Sequence, residues 1–242
     1  MEATTLPVLL AANLIVLFAF FTRAVTGFGG ALLCVPLLAL FYDMQFVVPV
    51  ECALEVVLSL ILVPRVFRLV DGRNLAVLLI GALCGSVVGV HLLASLANAS
   101  LKRALGVFII LVGLHLLRQR HGALPISRKW GLLAGVVGGV LGGVFGTAGP
   151  AYVAYLAHQT SDRQVFRATL IVLFAIEYTW RLALFGLGGL YSAVEFEFSL
   201  WLVPAVLTAA IAGHFVHLRV GDRAFRVTVS GLLIASGALC FL

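Results

Sequence analysis

Charge is what this chain has least of. Only 11% of its 242 residues are Asp, Glu, Lys or Arg, against 62% hydrophobic residues and a mean hydropathy of +1.16. So little charge cannot clothe a soluble globular surface, and the chain reads as an integral membrane protein. What charge there is leans basic, at net +6. The basic residues sit in short clusters between apolar runs, the pattern of cytoplasmic loops, which excludes a nucleic-acid surface. Cysteine is scarce and unpatterned. Cys34, Cys52, Cys84 and Cys240 all fall inside apolar runs without paired ligand spacing, so they read as small buried hydrophobes and no metal or cofactor is expected. No H-E-x-x-H, G-x-S-x-G or paired Asp-rich motif occurs, which leaves an intramembrane enzyme without a catalytic signature. Met1-Glu2-Ala3 lacks the basic region of a cleaved signal peptide, and the expectation is that this end stays on the mature protein.

What is present is a set of long apolar runs, two of them too long. Residues 6–41 would make a helix of about 54 Å at about 1.5 Å per residue, against the roughly 30 Å of a bilayer's hydrocarbon. The run is interrupted at Thr22-Arg23-Ala24-Val25-Thr26-Gly27-Phe28-Gly29-Gly30, where glycine permits a non-helical backbone. Such backbone survives at membrane depth only where protein buries it or a water-filled cavity meets it. The interruption is therefore read as a site.

After it come apolar segments at about 46–63, 75–94 and 104–117, then a basic connection with Arg118, Arg120, Arg128 and Lys129. The second half repeats the order: a long run over 130–157 broken at Gly146-Thr147-Ala148-Gly149-Pro150, then segments near 166–187, 198–216 and 225–242. At an offset of about 119 residues, Gly27 to Gly30 falls on Gly146 to Gly149. Duplicated, interrupted segments are a design of secondary transporters, and paired breaks point to the binding site. The fold expected is an all-α polytopic membrane protein of two repeats, 1–121 and 122–242, joined in one membrane domain. Each repeat has about four hydrophobic segments, the first broken or hairpin-like at its glycine motif.

Orientation follows from charge. The loops 64–74, 118–129 and 217–226 are basic and expected to be cytoplasmic, while the loop with Glu195 and Glu197 lacks Lys and Arg and is expected outside. These assignments, with the Arg163/Arg167 loop, agree if the run 130–157 enters, breaks and returns, which makes the two repeats inverted. The competing arrangement is eight plain spans in two parallel halves, with one violation of the positive-inside rule.

Two kinds of residue could carry chemistry. An arm restarting after a break exposes unpaired N–H groups and its positive dipole end, a ready anion site. The candidate substrate-binding residues are therefore Gly27, Phe28, Gly29, Gly30, Gly146, Thr147, Ala148 and Gly149. The glycines at 81, 85, 89, 135, 138, 139, 142 and 143 are read instead as helix-packing positions. Ionisable residues inside apolar segments are expensive and suggest a pathway. Glu51 and Glu55 share a helix face, as do Glu177 and Arg181. Arg181 is either a cation for the anion or half of a structural i,i+4 pair, and Arg23 either faces substrate or snorkels to the interface. Glu55, Glu177 and Glu51 are candidates for proton coupling, although Glu51 could lie near enough to the surface to be merely solvated. His121, His158 and His217 read as interfacial; His91, His115 and His214 could each carry a proton, and nothing singles one out. Trp130, Trp180 and Trp201 read as interface anchors, with Trp180 able to line a cavity.

The stretch Gly27-Phe28-Gly29-Gly30-Ala31-Leu32-Leu33-Cys34-Val35-Pro36-Leu37-Leu38 resembles the glycine-rich first motif and following Pro-Leu-Leu of the sulfite exporter TauE/SafE family, and Gly143-Val144-Phe145-Gly146-Thr147-Ala148-Gly149-Pro150 looks like its repeated motif. The chain departs from that pattern at Ala31 and Ala148, where further glycines are usual, and at Tyr155, which replaces a proline at the position matching Pro36. The resemblance implies a bacterial inner-membrane permease, often an exporter, for small sulfur-containing anions such as sulfite or sulfonates. The expected partners are a small anionic substrate and the lipid bilayer, with no nucleic acid; a homodimer is allowed. A non-transporting scaffold would leave the duplicated breaks and buried charges without a purpose.

Overall fold

The computed structural model describes residues 6–26, 29–118, 127–160, 162–216 and 222–240. Among them run ten α-helices and no strand. The first half holds α1 (Leu6–Thr26), α2 (Gly30–Leu38), α3 (Met44–Val66) with a 3-10 turn (Phe67–Leu69), α4 (Gly72–Ser95) and α5 (Asn98–Arg118). The second holds α6 (Lys129–Phe145), α7 (Gly149–Leu156), α8 (Arg163–Leu187), α9 (Ala193–Val216) and α10 (Asp222–Leu239). Six helices, α1, α3, α4, α5, α8 and α9, are long and apolar enough to cross a membrane, while α6 has only 17 residues.

Several helices begin before their apolar runs, because polar caps set their starts. Asp71 accepts from the backbone N–H groups of Arg73 and Asn74 ahead of α4, and Asp162 from those of Gln164 and Val165 ahead of α8. Partial burial opposes charge on Asp71, but hydrogen bonds from Asn74 and Arg73, with Arg128 nearby, hold its carboxyl below the usual carboxylate value. Ser192 and Glu195 form a capping box at α9: the Ser192 N–H donates to Glu195 Oε2 at 2.8 Å, and the Ser192 hydroxyl accepts from the Val194 N–H at 3.3 Å. Glu195 thus lies in the first turn of a helix and Glu197 just after it, not in a loop as expected, since the cap starts the helix ahead of the apolar residues.

The expectation that the run 130–157 turns back is met. A side chain begun at Gly142 would touch Ala148, one at Gly138 the Tyr152 ring, and one at Gly131 the Tyr155 ring, so α6 and α7 lie antiparallel as a hairpin. The first run also folds back. A Cβ at Gly30 would sit 3.1 Å from that of Arg23, whereas seven residues of continuous helix would separate them by about 10 Å.

The hairpin brings the described basic segments around 65–73, 128–129 and 163 to one end of the bundle. There the Tyr155 hydroxyl donates to Asn74 Oδ1 at 2.8 Å, and the Asp71 N–H donates to Thr169 Oγ1 at 3.0 Å. Arg65, Arg68, Arg73, Arg128, Lys129 and Arg163 accordingly belong to neighbouring element ends, which removes the conflict that a single crossing of α6 would create. At the opposite end the Met44 N–H donates to Asn98 Oδ1 at 2.9 Å, and Tyr42, Phe46 and Phe198 form an aromatic cluster with centroids 5.2 to 5.3 Å apart.

Helices of the two halves interleave: α4 packs on α6, α1 on α9, α3 on α8 and α5 on α10. The α4–α6 contact is the closest. A Cβ at Gly85 would lie 2.2 Å from the Val136 carbonyl oxygen, one at Gly139 2.3 Å from that of Ala82, and Gly81, Gly89, Gly135 and Gly143 are equally confined by backbone. Small residues let two backbones meet where no hydrophobic effect drives helices together. Gly138 and Gly142 are packing positions too, as expected, but toward other neighbours: they make room for α7 and α8. The outer surface is apolar, with Leu60, Leu111 and Ile211 exposed, as a lipid-facing surface requires. Cys84, expected to be buried, is on that surface, because an apolar run in a bilayer protein need not face the core.

Gly85→Ala and Gly139→Ala are expected to destabilise the protein by about 1–3 kcal/mol each, the usual cost of overpacking. Gly186→Ala, where a Cβ meets nothing within 4 Å, is the control. Thermal unfolding in detergent should show lowered midpoints for the first two alone.

Candidate functional site

The site forms where α3 crosses α8. The two helices run antiparallel: the Cys52 thiol donates to the Tyr178 carbonyl at 3.2 Å, while Asp71 meets Thr169 further along. The four-residue spacings place Glu51 and Glu55 of α3 and Glu177 and Arg181 of α8 on facing sides, and all four are fully buried. Arg23, near the end of α1, is 2% exposed. The solvated reading of Glu51 and the snorkelling reading of Arg23 are therefore overturned, because the breaks fold α2 and α7 over them.

The two arginines are held differently. Arg23 Nε donates to both Glu55 oxygens at 3.0 Å, and its Cζ stands 4.7 Å from the centre of the Phe174 ring. Arg181 Nε lies 3.6 Å from Glu177 Oε1, an ion pair longer than a hydrogen bond. Its Nη1 donates to the Gly142 carbonyl in the last turn of α6, and its Cζ stands 4.5 Å from the centre of the Tyr178 ring. Both guanidinium groups thus stack on aromatic rings one turn apart on α8. Several buried polar atoms find no hydrogen-bond partner among the described residues: both oxygens of Glu51, Thr147 Oγ1, and Nε and Nη2 of Arg181.

The breaks supply the backbone. Gly29 has φ +93° and Gly146 φ +73°, the left-handed region that favours glycine. Ala148 has φ −84° and Ala31 lies inside α2, so neither departure from the family's glycines demands a conformation that alanine resists. Neither α2 nor α7 has a side-chain hydrogen bond at its N-cap, which leaves first-turn N–H groups for a ligand. A small cavity lies between the breaks, lined by Arg23, Gly29, Ala31, Leu32, Thr147, Gly149, Phe174 and Tyr178.

Of the candidate substrate-binding residues, Arg23, Gly29, Thr147 and Gly149 line this cavity, and Gly30, Gly146 and Ala148 are buried behind it in the same two turns. Arg181 stands behind Tyr178, beyond the wall. Gly27 and Phe28 lie outside the described residues. Phe174 and Tyr178 were not singled out from sequence, although their spacing from Glu177 and Arg181 places them on the same helix face. His91 and His115 are exposed on the bundle surface and His158 is half-buried; His121 and His217, and the His214 side chain, fall outside what is described. Trp130, Trp180 and Trp201 are all exposed, and Trp180 does not reach the cavity.

An apolar helical bundle whose two interrupted helices meet at a buried, charged cavity is the build of a membrane transporter. The family model for the sulfite exporter TauE/SafE family matches residues 12–239, nearly the whole chain, and the chain belongs to that family. No curated protein and no solved structure matches it.

Gly29→Ala and Gly146→Ala should each cost about 1–2 kcal/mol from the left-handed backbone, whereas Ala148→Gly should cost a few tenths. Chemical or thermal unfolding of the purified variants reads the difference.

Proposed function

We propose that this transporter exports a small sulfur-containing anion, sulfite or a sulfonate, across the bacterial inner membrane. The observation that carries the reading is the shared cavity: its wall takes Gly29 from one break, Thr147 and Gly149 from the other, and Arg23 as its cation. Two helix N-termini without side-chain caps and one guanidinium suit a compact oxyanion, which can accept several hydrogen bonds at once. Arg23 is the ligand cation of this reading. Arg181 braces the second break through Gly142, and Glu55 holds Arg23 in place. Proton coupling through the buried glutamates belongs to the same reading.

Inverted repeats suit the mechanism. In favour of inversion, α3 runs antiparallel to its counterpart α8. The α5–α10 pair does the same, since Gly113 meets Ser230 and Ile234 while Gly237 meets Gly106 and Ile110. The hairpin of α6 and α7 opens at the basic end, read as cytoplasmic, and α2 leads to the other. Movement of one hairpin against the remaining helices would open the shared cavity to alternate sides.

In proteoliposomes, radiolabelled sulfite or sulfonate is expected to cross faster than in protein-free vesicles. Absence of both flux and exchange for every anion tried would sink the proposal. Because Arg23→Gln alone strands the buried Glu55 carboxylate, the double variant Arg23→Gln/Glu55→Gln is the informative one. It should stay folded and lose at least tenfold in anion affinity.

In a cysteine-free background, a cysteine at Glu195 should label from outside and one at Arg128 only after permeabilisation. The reverse pattern would invert the assigned orientation.

A further inference from the structure

The buried charges at the α3–α8 crossing do not balance. Arg23 is met by both oxygens of Glu55, and Arg181 stands beside Glu177. That leaves Glu51 as a third carboxyl without a cation of its own. It is fully buried, and neither of its oxygens has a hydrogen-bond partner among the described residues. Its Oε2 lies 3.2 Å from the point where a side chain at Gly146 would begin, and the next residue along the chain, Thr147, lines the cavity. The groups around Glu51 come from several elements: Arg23 of α1, Cys34 of α2, Cys52 and Glu55 of α3, and Glu177, Tyr178 and Arg181 of α8. Against it the second break presents Gly146, which carries no charge.

An ionised carboxyl in that position would be a buried charge with no arginine at ion-pair distance and no hydrogen bond among the described residues, a costly arrangement, whereas the neutral acid is tolerated. An anion entering the cavity puts a second negative charge into the same enclosure. Two like charges at close range in a low-dielectric interior repel strongly. The occupied site therefore favours a neutral Glu51. Glu55 and Glu177 differ because each already faces an arginine. We propose that Glu51 is the proton-carrying residue of this transporter, protonated whenever the cavity holds the anion, so that one proton travels with each anion. The proton is taken from water on the side where the anion enters and is released on the side where it leaves. The assignment rests on reading the cavity as an anion site.

Methanesulfonate is the suitable probe, since its own charge does not change near neutral pH. In proteoliposomes, wild-type exchange of labelled for unlabelled methanesulfonate should weaken as pH rises, and net flux driven by a pH gradient should be accompanied by proton movement recorded with an internal pH dye. Glu51→Gln should keep exchange within threefold of wild type and make it independent of pH. The same variant should lose at least tenfold in gradient-driven flux, together with the proton signal. Infrared spectroscopy of the purified protein with anion bound should show a protonated carboxylic acid band that Glu51→Gln removes.

Gradient-driven flux with proton movement surviving in Glu51→Gln would overturn the assignment and leave anion transport standing. A band missing from the wild type, or unchanged in the variant, would overturn it as well. Wild-type protein that neither exchanges nor transports the anion would remove the transport reading and the coupling role together.

Discussion

A backbone that stops being helical inside hydrocarbon must find partners for its N–H and C=O groups, because lipid offers none. The second interruption, at 146–148, answers that constraint by being enclosed, and Gly30, where the helix restarts after the first, is buried as well. The second is covered by α3 and α8, whose Glu51 and Arg181 reach its turn and the carbonyl just before it. The first is flanked by Arg23 and Glu55. Enclosure demands that α1 and α6 fold back as hairpins, and the close approach of α4 to α6 through interlocking glycines holds the second hairpin against the bundle.

The same enclosure sets the electrostatics. Two arginines and three glutamates share an interior from which water is largely excluded, where each charge is tolerated only if it is met. Stacking on Phe174 and Tyr178 gives the guanidinium groups an aromatic face as well as a carboxylate. An arrangement that leaves Glu51, Thr147 and part of Arg181 without hydrogen-bond partners among the described residues is poor design for stability alone.

Much of this was legible in the chain. Hydropathy and run length were sufficient for a helical membrane bundle, since runs longer than the bilayer is thick must break and glycine marks where. Charge placement anticipated the second hairpin, because only a run that turns back brings Arg128 and Arg163 to one end. The recurrence of Gly27 to Gly30 at Gly146 to Gly149 pointed to the paired breaks. Helix starts were less legible: caps such as Asp71, Asp162 and the Ser192–Glu195 box act by local hydrogen bonds that hydropathy does not register.

Partnership was decided by the tertiary structure. A four-residue spacing puts Glu177 beside Arg181 on any helix, but only the crossing of α3 and α8 and the fold-back of α1 assign Glu55 to Arg23 and leave Glu51 unmatched. The left-handed turns at Gly29 and Gly146 and the right-handed Ala148 likewise depend on how the chain reverses. By itself the sequence determined where the helices are, where they break and which residues are too polar for a bilayer, because those follow from local composition and periodicity. Which buried charge meets which, and which atoms are left facing a cavity, depends on contacts between residues more than a hundred positions apart in the case of Cys52 and Tyr178, and only packing brings those together.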